Sequence, residues 1–220
     1  MMAGQSLLLD SAGQTCDKAY KSQKRSESEN RSDLFYMYEP HTPSSSGASK
    51  WFALRVTYCR ELKIQTRLLE RGLKTFVPMM IKREVKNGKT ISKKVSAVKN
   101  LLFAYASREE IEAYMLSEGD KPITHFMWDK ATSQPIVVPS KQMEDFILVC
   151  SESADEIIYL SRISDKLRSG AKVKVKSGPF TGVCGIVVRL RKSRRILVEI
   201  PGIMAAASTY VPMEDLEVIE

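Results

Sequence analysis

Histidine and cysteine are scarce in this chain of 220 residues, with two of the first and four of the second. Cys16, Cys59, Cys150 and Cys184 are scattered and form no C-x-x-C pair. Zinc needs close ligand pairs, and His41 and His125 cannot supply the missing partners, so no metal is expected. The cysteines read as structural thiols of a reducing compartment. His125 falls in the strand-like run Ile123–Trp128 and reads as a core or edge residue. No nucleophile–base arrangement, phosphate-binding loop or carboxylate pair is present, so neither catalysis nor a cofactor is expected. Long apolar runs are missing too. No window approaches a membrane span, and Leu7-Leu8-Leu9 is too short and too poor in flanking basic residues for a signal peptide. The expected location is cytoplasmic.

What the chain does have is segregated charge. Residues 50–100 hold fourteen Lys or Arg against Glu61, Glu70 and Glu84, a net +11. Residues 101–165 carry five basic against twelve acidic groups, a net −7, and residues 166–220 return to +5. The first 49 residues are nearly neutral, at −1. Such polarisation points to a polyanion on one face of the protein and a different partner on the other.

With 43% hydrophobic residues the chain has material for one domain or two small ones. Residues 1–49 lack periodicity and end in a Ser-rich stretch; they read as a mobile tail and linker. Trp51–Tyr58 has the aromatic and β-branched content of a strand. Arg60–Gly72 follows at helical spacing, with Gly72 as its stop. A second strand is expected from Lys74 to Val85, turning at Asn87-Gly88 and returning to Leu101–Tyr105, which gives β-α-β-β. Ser107 is placed to cap a second helix and Ser140 a third, the latter presenting Met143, Phe146, Ile147 and Val149. Residues 50–150 therefore read as one α+β sandwich. After a linker over 151–167, residues 168–220 read as five short strands of an SH3-like β-barrel. Lys172–Lys176 alternates valine with lysine, and Arg191–Arg195 reads as a basic hairpin tip. Ile203–Ala207 has helical propensity and no evident pairing partner.

The run Val173–Val187 resembles a KOW motif, carried by Gly178, Pro179, Phe180, Gly182 and Gly185. Trp51-Phe52-Ala53-Leu54, Val77-Pro78 and Asn100-Leu101-Leu102-Phe103 resemble the NusG N-terminal (NGN) domain that precedes KOW in NusG proteins. Their spacing also matches the specialised RfaH-type paralogues. Closer still are the UpxY-type antiterminators of Bacteroides capsular polysaccharide operons, in Leu54–Lys63 and Pro135–Pro139. The resemblance spans about residues 50–220.

It implies a transcription elongation or antitermination factor, an NGN sandwich followed by a KOW barrel, that binds the clamp helices of RNA polymerase. By the resemblance, Val98, Leu101, Phe103, Met143 and Ile147 would meet polymerase. Val98-Lys99-Asn100 departs from the aromatic and Pro-Gly of general NusG, as a specialised paralogue would. Arg60, Lys63, Arg67 and Arg71 share one helix face by spacing. Lys63, Arg67 and Arg71 match positions where RfaH touches the non-template DNA strand; a nascent leader RNA is the other nucleic-acid candidate. Ribosomal protein or a termination factor is the partner class implied for KOW. RfaH's KOW domain refolds, but the alternating valines here argue for β structure at rest. The competing reading is a ribosome- or RNA-binding KOW protein, bound directly to RNA with steep salt dependence.

Overall fold

The computed structural model describes residues 48–86, 88–119, 122–152, 156–161 and 164–219. All but the last two residues of the expected tail, and Asn87 of the expected turn, lie outside the described residues.

The first unit is built on β1 (Lys50–Val56), whose two sides are both buried. Phe52, Leu54 and Val56 point one way and pack with α1 (Glu61–Glu70) through Ile64 and Leu68. Trp51 and Ala53 point the other way, onto Phe146 and its neighbours in α3 (Ser140–Glu152). Alternation along one strand thus makes the middle layer of a helix–sheet–helix sandwich. The sheet is antiparallel, in the order β2 (Lys74–Phe76), β5 (Leu101–Ala106), β1, β6 (Thr124–Phe126), with β9 (Val137–Val138) also on β1. The small β7 (Trp128–Asp129) and β8 (Gln134–Pro135) pair beside it. Helix α2 (Arg108–Ser117) joins the α1 side through Ile111 and Tyr114. Its start is a capping box: Ser107 Oγ accepts from Glu110 N at 3.2 Å, and Glu110 Oε2 accepts from Ser107 N at 2.7 Å.

Three expectations for this unit change. The strand expected from Lys74 to Val85 breaks at Val77-Pro78, where proline has no N–H for a ladder. Beyond the break, among the described residues, β3 (Met79–Lys86) and β4 (Lys89–Ser96) pair only with each other, as a separate two-stranded ribbon. The returning arm therefore ends at Ser96, and Leu101–Ala106 is a new strand. Ser140 lies inside α3 and does not cap it: Pro139 O accepts from Met143 N at 3.0 Å.

The second unit is a six-stranded antiparallel sheet, ordered β10 (Ile158–Leu160), β14 (Met204–Tyr210), β13 (Ser193–Ile200), β12 (Cys184–Leu190), β11 (Lys172–Val175), β15 (Leu216–Val218). A short α4 (Asp165–Arg168) precedes β11. Among the described residues the order does not close on itself, so the expected closed barrel is not seen. The sheet also takes in Ile158–Leu160, which the sequence reads as linker. Met204–Ala207 is strand, not helix: its small side chains are fully covered between β10 and β13, and burial outweighs alanine's helical preference. The basic tip shrinks to a two-residue turn, with Arg191 and Lys192 both left-handed. Arg195 is buried, and its Nη1 donates to the carbonyls of Glu156 (3.1 Å) and Ser208 (2.6 Å).

Helix α3 is the wall shared by the two units. On one side it meets β1, and on the other it packs against β13 and β14. One continuous apolar cluster runs from Trp51 and Phe103 through Phe146 to Val173, Ile196 and Ala206.

Candidate nucleic-acid interface

Helix α1 buries Ile64 and Leu68 at i and i+4, and this orients its other face. Arg60, Lys63, Arg67 and Arg71 all lie exposed there, as their spacing predicts. Arg71 has a second role: its Nη2 donates to Ser117 Oγ at 2.8 Å, and its guanidinium lies 4.7 Å from the Tyr114 ring centre. Arg71 thus ties α1 to α2. Arg60, Lys63 and Arg67 are the better-placed cations for a ligand, and Arg67 also faces the Tyr114 hydroxyl of α2, whose ionisation its charge favours.

The entry to this helix is strained. Tyr58 and Cys59 have φ of 61° and 51°, a region that costs a non-glycine residue energy unless its surroundings hold it. They are held by Asn100, itself left-handed at φ 64°. Asn100 Oδ1 accepts from Cys59 N at 3.0 Å, Asn100 O accepts from Val56 N at 3.0 Å, and Asn100 N donates to the buried carboxylate of Glu61. The clasp turns Tyr58 outward at 72% exposure, with Arg60 5.6 Å from its ring centre. An exposed aromatic beside a guanidinium can stack bases while the cations track phosphates. The sequence reads Tyr58 as the end of the first strand, but β1 stops at Val56 and Tyr58 falls in the turn Thr57–Cys59, which no local motif announces.

The residues expected to meet polymerase fall into two groups. Leu101, Phe103 and Met143 are buried in the sheet–α3–sheet cluster and cannot offer surface contact in this arrangement. Alternation put Leu101 and Phe103 on one face correctly, but α3 and the second sheet cover that face. Val98 and Ile147 are partly exposed at its margin.

The glycines and the aromatic of the KOW-like run are architectural here. Phe180 is core, and Gly178, Pro179 and Gly182 form the turn after β11, where Gly182 N donates to Val175 O at 2.8 Å with φ 87°. A Cβ on Gly185 would lie 2.6 Å from Ile196 Cγ2 and 2.7 Å from Leu197 O, so only glycine lets β12 approach β13 this closely. The turn, β13 and β10 also meet the first unit. Lys141 Nζ donates to Gly182 O at 2.9 Å, Gln142 Nε2 to Glu199 O at 2.6 Å, and Tyr159 Oη to Met79 O at 2.9 Å.

No helix among the described residues is long and apolar enough to cross a membrane. No curated protein matches the chain. Residues 49–147 match the family model described as transcription termination factor nusG, a stretch that holds β1 through most of α3 and the whole cationic helix. This part of the chain is similar to the NusG family over just under half of the 220 residues.

Proposed function

We propose that the protein is a specialised transcription elongation and antitermination factor. It binds RNA polymerase and holds exposed single-stranded nucleic acid, the non-template strand, on the α1 face. The observation that carries this reading is the outward cation row Arg60, Lys63 and Arg67 on the stretch that matches the NusG family model, with Tyr58 fixed beside it. Catalysis has no part in it: binding that favours the moving form of polymerase is enough to shift its population away from pausing. Polymerase contact falls to Val98 and Ile147, supported from beneath by Leu101, Phe103 and Met143. The second sheet serves as the KOW module for a ribosomal or termination partner. The UpxY-like wording of Leu54–Lys63 and Pro135–Pro139 favours action on one long surface-polysaccharide operon.

The test is retention of the full chain on stalled transcription complexes with an exposed non-template strand. Arg60→Gln/Lys63→Gln/Arg67→Gln should weaken retention by about tenfold at moderate salt while leaving the thermal midpoint unchanged, since three phosphate contacts are lost. Equal retention of this variant would refute the assignment of α1. Retention on ribosomes in preference to polymerase would favour the RNA-binding alternative.

A further inference from the structure

The β3–β4 ribbon carries six cations, Lys82, Arg83, Lys86, Lys89, Lys93 and Lys94, and a single carboxylate, Glu84. Its register sets Lys82 directly opposite Lys93 and Lys86 directly opposite Lys89. Residues opposed across an antiparallel pair share a face, and alternation puts both lysine pairs on the same one. Like charges so placed repel and weaken the ribbon. Glu84 lies between the pairs, opposite Ile91, and offsets only part of this: Lys82 Nζ is 3.0 Å and Lys93 Nζ 3.7 Å from its carboxylate. The hydrogen bond and charge of Lys82, then the charge of Lys93, hold the Glu84 carboxyl below the usual carboxylate range.

The ribbon is also free to reach a ligand. It is rooted by Ala97 N donating to Pro78 O at 2.8 Å and by the Tyr159 hydroxyl on Met79 O. Towards the turn its side chains are exposed, with Val85 at 73%. Arms of eight residues extend about 26 Å, and a two-stranded ribbon fits the major groove of duplex DNA, roughly 12 Å wide. On that face the Lys82 side chain is 60% exposed and that of Lys93 23%. A polyanion lying along that face would relieve both repulsions at once.

We propose that the β3–β4 ribbon is a second nucleic-acid site, which binds duplex DNA through Lys82, Lys86, Lys89 and Lys93 on its lysine face. It is separate from the single-strand face of α1 and does not depend on polymerase. Binding of the full chain to a fluorescent DNA duplex of about 20 base pairs, followed by anisotropy across a salt series, tests it. Replacing the four lysines with glutamine should weaken duplex binding by more than about tenfold and flatten the slope of log affinity against log salt by about 3.6. The four Lys→Arg changes should keep duplex affinity, and Arg60→Gln/Lys63→Gln/Arg67→Gln should leave it intact. Without DNA, Lys86→Gln/Lys89→Gln should melt no lower than the parent, because it removes the repulsion of one opposed pair and leaves the contacts of Lys82 and Lys93 with Glu84 in place.

Unchanged duplex affinity in the glutamine variant would overturn the proposal. So would equal loss in the arginine variant, or a loss confined to single-stranded oligonucleotides. Polymerase retention is read separately, so failure here leaves the proposed function standing, and the reverse holds too.

Discussion

Asp145→Ala tests the shared wall between the two units. Asp145 is 4% exposed on α3, where Oδ1 accepts from Lys141 Nζ at 2.5 Å and Oδ2 from Cys184 N at 3.2 Å. The Lys141 side chain is 61% exposed, so losing its partner returns it to water and costs well under about 1 kcal/mol. Cys184 N loses its acceptor at a half-covered site, which costs about 1–3 kcal/mol. The expected destabilisation is therefore about 2 kcal/mol, most of it from a single backbone N–H. Asp145→Asn keeps an acceptor for that N–H and should recover more than half. Urea unfolding followed by tryptophan fluorescence and by circular dichroism reads this out. Trp51 and Trp128 both lie in the first unit, whereas the dichroism reports on both units. The midpoint should fall in both signals together, because one apolar cluster spans the units. A loss below about 0.5 kcal/mol, or no difference between the alanine and asparagine variants, would refute the reasoning.

Two further outcomes follow from the same packing. Gly185→Ala drives a methyl into the Leu197 carbonyl and Ile196, and should destabilise the protein by about 1–3 kcal/mol in thermal melts. Burial pushes the Cys150 thiol up to about 12 from an ordinary value of 9.0, and raises the Tyr159 phenol as well. Both groups stay protonated in the folded protein where the unfolded chain ionises. Their stabilisation is complete below pH 9 and is lost as pH climbs towards the folded values, so the urea midpoint should fall from about pH 9 upward. Cys150→Ala/Tyr159→Phe should flatten that fall.

The sequence disclosed the first unit well because its signals are local. The aromatic and β-branched content of β1 and the Ser107 cap of α2 each specify their element without distant help; the buried stripe of α1 was less plain, since Leu69 is exposed and Ile64 takes the inward place. The cations of α1 were legible for the same reason. What the sequence hid depends on tertiary neighbours. Leu101 and Phe103 alternate correctly, but only the packing of α3 against the second sheet tells which face is closed. Met204–Ala207 reads as helix until β10 and β13 bury it. Arg195 sits in a run of surface-like basic residues, yet two carbonyls draw it inside. Tyr58 owes its exposure to Asn100, more than forty positions away in the chain.

The central claim is that this chain acts on polymerase. Its most direct test is the dwell time of purified polymerase at a defined pause, with and without the full chain, at physiological salt and with the non-template strand exposed. The account predicts shorter dwell and co-migration with the complex, both weakened when Arg60, Lys63 and Arg67 are made glutamine. Unchanged dwell with no association, on a template that carries the operon's own leader, would contradict it.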